Sequence, residues 1–313
     1  MTPAPLWRSG WLRGVVSAAI LAYLVARIDM GAALAALVQV DLRLLVLVLA
    51  LVGLDRGVMI ARWLVVLRSS GQRVAMKSVA WIFLVSSFLG SALPASVGGD
   101  AARAYTLSRR TNDASEAVAS VAVDRLFGVV SLAAVAAVGG MVWGTASDAL
   151  PLGLVWAAAG LVGAGCLSVL WADRLLRRLL PAGWHGARIG AAMLGLADAL
   201  SRYRGRRPAL AGVFALSVLV QVLRVSQAFL LGLGLGIEVP FGYYLVFMPV
   251  GLLMLLLPVS VAGFGLPQGV IVWLLRPQGV PDPLSFALST LIVLTGLAGT
   301  LPGALLYARR KER

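Results

Sequence analysis

Five arginines and three aspartates stand inside otherwise apolar stretches of this 313-residue sequence: Arg56, Arg62, Arg103, Arg125 and Arg224 against Asp55, Asp100 and Asp124. Ionisable groups are costly in apolar surroundings and are kept there to pair with one another or to serve a ligand. The set leaves two positive charges over, so an anionic guest suits it. A phosphate suits it best, because a guanidinium offers a planar fork of donors matched to phosphate oxygens. Ser217, Gln221 and Arg224 follow i, i+4, i+7 spacing and mark one polar stripe of a helix. Arg224 has no acidic neighbour in its own segment, so its partner is Asp55, Asp100, Asp124 or a bound anion. Arg62 lies near enough to the end of its apolar run to extend its charge to the membrane surface. The competing reading is that Asp55–Arg56 and Asp124–Arg125 only tie helices together.

Two Pro/Gly-rich stretches would position these groups. In Pro94-Ala95-Ser96-Val97-Gly98-Gly99-Asp100-Ala101-Ala102-Arg103, Pro94 removes a backbone donor and the two glycines relax the backbone. Asp100 suits a helix N-cap, so the chain is expected to unwind and restart near Ala101, with Arg103 one turn in. Free N–H groups at such a restart would face an anion. A stretch of similar design, 258–269, contains Gly263, Gly265 and Gln268. Paired interruptions of this kind in the two halves of a membrane protein point to a substrate site.

The composition places these features in a bilayer. Apolar residues make up 60% of the chain and charged residues 13%, with a mean hydropathy of +0.93, which excludes an ordinary soluble domain. The formal charge of +14 arises from 27 Lys and Arg clustered between apolar runs, the pattern of the positive-inside rule, so no nucleic-acid partner is implied. With one cysteine, Cys166, and one histidine, His185, no internal disulfide forms and neither a metal nor another cofactor is expected.

The expected fold is all-α: a single polytopic membrane domain, 1–313, of about six spanning helices and two oppositely oriented re-entrant hairpins. The spans fall at 11–28, 42–67, 117–143, 152–171, 209–231 and 284–307, each near the ~20 residues a bilayer requires. Segment 11–28 reads as a retained anchor helix rather than a cleaved signal. Arginine placement puts both termini and the basic segment 172–208 in the cytoplasm. It sends hairpin 79–107 in from the cytoplasm and hairpin 241–275 in from outside. Segments 42–143 and 209–307 then form an inverted repeat. Within 172–208, Ile189, Met193, Leu196, Leu200 and Tyr203 recur at helical spacing and predict an amphipathic helix on the membrane surface.

Leu93-Pro94…Gly98-Gly99-Asp100…Arg103, Val123-Asp124-Arg125-Leu126…Gly128 and Leu257-Pro258…Gly263-Phe264-Gly265, in this order and spacing, resemble the flippase-like membrane domain of the lysylphosphatidylglycerol synthase transmembrane family. The resemblance implies lipid handling in a cytoplasmic (inner) cell membrane. It departs from the family at Gln268, where a glutamate is usual, and no synthase domain follows Arg313, so lipid aminoacylation by this chain alone is not expected.

The function expected is translocation of an anionic phospholipid or an isoprenoid (polyprenyl)-linked lipid. Its substrate contacts would come from Arg56, Gly98, Gly99, Asp100, Arg103, Asp124, Arg125, Gln221, Arg224, Gly263, Gly265 and Gln268. No catalytic residue is expected, so a transporter is favoured over an enzyme. The alternatives are an intramembrane lipid-modifying enzyme, with only Asp100 or Asp124 as acid or base, and a non-transporting accessory subunit of a lipid-synthesis system. Partners consistent with the first reading are lipid-synthesis enzymes and a second copy of the chain.

Overall fold

The computed structural model describes residues 28–92, 97–144, 152–171, 174, 178, 188–256 and 266–311, and these are all-helical apart from short turns. The expected anchor helix 11–28, apart from its last residue, and the tips of both short helix pairs lie outside the described residues.

Four helical stretches are long and apolar enough to cross a membrane: Leu42–Ser69, Ala114–Trp143, Arg207–Gly234 and Asp282–Arg309. Each begins within three residues of an expected span. The first, α2 (Leu42–Ser69), follows a short helix α1 (Met30–Val38), and Asp41 caps it by accepting from the Arg43 N–H at 2.8 Å. Its 28 residues extend about 42 Å, more than the ~30 Å hydrocarbon layer.

Helices α3 (Met76–Ala92) and α4 (Val97–Thr111) fold back on each other. Glycine sets their spacing: a β-carbon on Gly99 would stand 2.8 Å from the Ser86 carbonyl oxygen and 3.1 Å from the Gly90 Cα. Helix α3 therefore occupies the space that a side chain at position 99 would take. Helix α4 begins at Val97, so Asp100 is not its N-cap but lies within its first turn.

Helix α5 (Ala114–Gly144) is followed by α6 (Leu152–Ser168), a 17-residue helix that packs on α5 and continues as a 3-10 turn to Trp171. Helix α7 (Arg188–Arg204) was expected to lie on the membrane surface. Its C-terminal half also turns Ala197, Ala199, Leu200 and Tyr203 into protein against the start of α5, where Glu116 accepts from the Tyr203 hydroxyl and pairs with Arg202 at 2.9 Å.

Helix α8 (Arg207–Gly234) runs antiparallel to α2 and is its main packing partner. Asp55 meets Arg224 and Arg62 meets Ser217, pairs separated by seven residues on both helices. The second short pair, α9 (Phe241–Leu256) and α10 (Leu266–Leu275), is joined by a hydrogen bond from the Tyr243 hydroxyl to the Leu274 carbonyl. Helix α11 (Asp282–Ala298) continues, after a break at Gly299, as α12 (Leu301–Lys311).

The remaining contacts exchange partners between the halves: α9 packs on α5, and α3 packs on α12. Both contacts are glycine-mediated. A β-carbon on Gly139 would lie 2.6 Å from the Leu245 carbonyl, and one on Gly303 would overlap the Leu84 carbonyl. Small residues let apolar helices approach closely where lipid gives no hydrophobic drive to associate.

Candidate functional site

Asp124 is the centre of the most buried polar cluster. It lies ten residues into α5, about 15 Å along the helix, and is 1% exposed. Arg62 donates from Nε to Oδ1 at 2.8 Å, and Arg103 donates from Nη1 to Oδ2 at 3.0 Å. Both arginines are buried, and Arg62 also donates to the Ser217 hydroxyl at 3.2 Å. The expectation that Arg62 reaches the membrane surface is therefore wrong: the carboxylate of α5 and the hydroxyl of α8 hold its head inside the bundle.

Trp63 supports this arrangement from the next position on α2. The Arg103 guanidinium lies 3.8 Å from the Trp63 ring centroid and 5.1 Å from that of Phe83, while the Trp63 indole N–H donates to Ser120 at 3.4 Å. Stacking orients the guanidinium but accepts no hydrogen bond, and Arg103 Nε and Nη2 are buried without an acceptor among the described residues.

Asp55, at the middle of α2, organises the second cluster. Arg224 Nε lies 3.3 Å from its Oδ1 and Arg56 Nη1 4.0 Å from its Oδ2. The Met59 sulfur stands between the two arginines, 3.2 Å from Arg224 Nη2 and 3.8 Å from Arg56 Nη1. Arg56 also donates to the Gly296 carbonyl at 3.3 Å, in room left by Gly299, whose β-carbon would fall 2.9 Å from Arg56 Nε. The side chains of Arg56 and Arg224 remain 20% and 28% exposed.

Gln221 lies between these clusters on α8 and donates to the Gly128 carbonyl at 3.2 Å and to Ser131 at 3.4 Å. The third pair, Asp100 with Arg125, closes α4 onto α5 through two contacts, 2.7 Å from Nε and 2.9 Å from Nη2, and is more open.

The family model for the lysylphosphatidylglycerol synthase TM region matches residues 10–303. The chain belongs to this family. Among curated proteins, no sequence matches it. Membership agrees with the long apolar helices and associates the chain with a membrane protein class linked to lipid synthesis or translocation.

Within this family member the expected site residues fall into separate groups. Arg103 meets Asp124, Asp100 meets Arg125, and Arg56 meets Arg224 across Asp55, with Gln221 between the groups on α8. Gly98 lies half-buried in the first turn of α4, and Gln268 is fully buried on α10. Gly263 and Gly265 lie outside the described residues. Met59 and Trp63 were not anticipated as contributors. Met59 follows Asp55 and Arg56 by one helical turn, a spacing that could have shown it.

The surplus of two positive charges is divided between the buried clusters. Each places one aspartate between two arginines, whereas Asp100 and Arg125 balance.

Proposed function

We propose that this protein is a lipid translocase that carries an anionic phospholipid or isoprenoid-linked lipid across the cytoplasmic membrane, its headgroup passing the Asp55 cluster while its tails stay in the bilayer. One observation carries the reading: Asp55 is shared by two arginines that remain partly exposed, and a thioether is the second acceptor of Arg224 and a further contact of Arg56. Sulfur is a weak acceptor, so a phosphate oxygen can displace it. The Asp124 cluster serves this site by fixing α4, α5 and α8 around α2.

In the accompanying architecture, about six helices span the bilayer, the pairs α3–α4 and α9–α10 are re-entrant hairpins of opposite direction, and both termini are cytoplasmic. The arms of the first pair, 17 and 15 residues, reach about 25 and 22 Å, short of the ~30 Å hydrocarbon layer. The exchanged contacts α5–α9 and α3–α12 support an inverted repeat of 42–143 and 209–307.

A non-transporting accessory role is favoured by a different observation: all three aspartates already have arginine partners. Reconstitution into liposomes with headgroup-labelled lipids separates the readings. Protein-dependent movement of unmodified lipid supports translocation, chemical change of the lipid points to an enzyme, and neither leaves the accessory role.

A further inference from the structure

The two short helix pairs are held by different physics. Hairpin α3–α4 is fastened to α5 by Arg103–Asp124 at 3.0 Å and Asp100–Arg125 at 2.7 Å. Moving α4 away from α5 would strand Asp124 and Arg103 without each other in an apolar interior, where breaking one partner from a buried pair is strongly unfavourable.

The other pair has no such fastening, because residues 241–275 contain no Asp, Glu, Lys, Arg or His. Among the described residues, helix α9 meets α5 and α8 through aromatic and glycine contacts. Its Trp143–Tyr243 and Phe229–Tyr244 rings meet edge-on at 5.0 and 5.3 Å, and its backbone rests on glycine at Gly139 of α5. Apolar contacts of this kind are exchanged for contacts with lipid at small cost, since acyl chains are as apolar as the helices. The Tyr244 hydroxyl adds an independent sign. It is fully buried beside Gly232 and has no hydrogen-bond partner among the described residues. An orphaned hydroxyl in an apolar interior opposes the arrangement that buries it. Whereas the two orphaned donors of Arg103 are offset by its bond to Asp124, the Tyr244 hydroxyl has no hydrogen bond among the described residues to offset its burial.

We infer that α9 and α10 move together against α5 and α8 between two positions, while α3 and α4 remain fixed to α5 by their ion pairs. The inference concerns motion and does not depend on lipid being translocated. The glycine contact at Gly139 provides a smooth face for such a displacement, and the Asp124 pairs provide the fixed side.

Distances between nitroxide labels in nanodiscs test it, in a Cys166→Ala background. One pair is placed at Trp273 of α10 and Leu219 of α8, the other at Tyr105 of α4 and Leu219, all three positions being exposed in the described structure. The Trp273–Leu219 distribution is expected to show two maxima, with populations that change between phosphatidylglycerol and phosphatidylcholine nanodiscs. The Tyr105–Leu219 distribution is expected to show one narrow maximum in both. Equal widths for the two pairs, or a broad Tyr105 pair beside a narrow Trp273 pair, overturn the inference. Asp124→Asn then tests the cause: it should broaden the Tyr105 pair and leave the Trp273 pair unchanged, and an unaltered Tyr105 pair in that folded variant also overturns it. Lipid transport is read separately in liposomes, so two positions of α9–α10 without lipid movement uphold this inference and remove only the translocation reading.

Discussion

Arg62 of α2 donates to Asp124 of α5 at 2.8 Å, from a side chain 4% exposed to a carboxylate 1% exposed. Because Arg103 shares the same carboxylate, Asp124→Ala would leave two buried guanidinium groups without their charge partner. The expected loss is about 3–5 kcal/mol, the range for breaking a buried pair. Thermal unfolding in detergent measures it, and a variant as stable as the parent would show that water or lipid phosphate replaces the carboxylate.

Arg224→Gln is expected to behave differently, since its side chain is part-exposed and its partners are Asp55 and the Met59 sulfur. The variant should insert and fold normally and lose protein-dependent lipid movement by at least about tenfold, the effect of one lost charge-assisted contact of ~1.5 kcal/mol or more. Lost thermal stability with retained lipid movement would assign Arg224 to structure alone.

Met59→Leu keeps volume and removes the soft acceptor between Arg56 and Arg224. Stability is expected to change by less than about 1.5 kcal/mol, as for other volume-conserving exchanges. With no sulfur to displace, anionic headgroups should bind at least as well as in the parent. Weaker binding of a fluorescent phosphatidylglycerol would show that the thioether positions the arginines actively.

Two glycine exchanges contrast helix propensity with packing. Gly57→Ala in α2 meets nothing within 4 Å and is expected to stabilise by about 0.5–1 kcal/mol. Gly303→Ala in α12 would overlap the Leu84 carbonyl and is expected to destabilise by about 1–3 kcal/mol. Equal shifts in melting temperature for the two would mean that α3 and α12 do not touch in solution.

Docking of α7 carries a pH dependence. Burial, then the hydrogen bond to Glu116, raises the Tyr203 phenol pKa above its usual value. A raised folded-state value gives stability that is complete below the unfolded pKa of about 10 and is lost as pH rises beyond it. Thermal stability should therefore fall above about pH 10 in the parent and fall less in Tyr203→Phe. Tryptic cleavage at Arg204 or Arg206 should also accelerate in the phenylalanine variant at neutral pH.

Much of the frame is legible in the residues themselves. Hydropathy places the four long helices within three residues of their starts, because a bilayer demands one uninterrupted apolar run for each. Buried charges announce that they need partners, and Arg224 does find Asp55. Which partner each one takes is less legible, since the pairings cross between helices far apart in sequence. Arg62 has the sequence position of a surface-reaching arginine, yet Asp124 and Ser217 arrive from α5 and α8 to enclose it. Asp100 follows two glycines as a cap would. The helix begins three residues earlier, which frees its carboxylate for Arg125.

The exchanged glycine contacts also impose an order on biogenesis. The backbone of α3 near Leu84 rests on Gly303, 219 residues later in the chain. While the nascent chain emerges from the ribosome, α3 has no permanent neighbour on that side and must be shielded by lipid or by the insertion machinery until α12 arrives. Helix α9 has no such wait, because Gly139 has already been made. The first half of this protein is thus translated first and completed last.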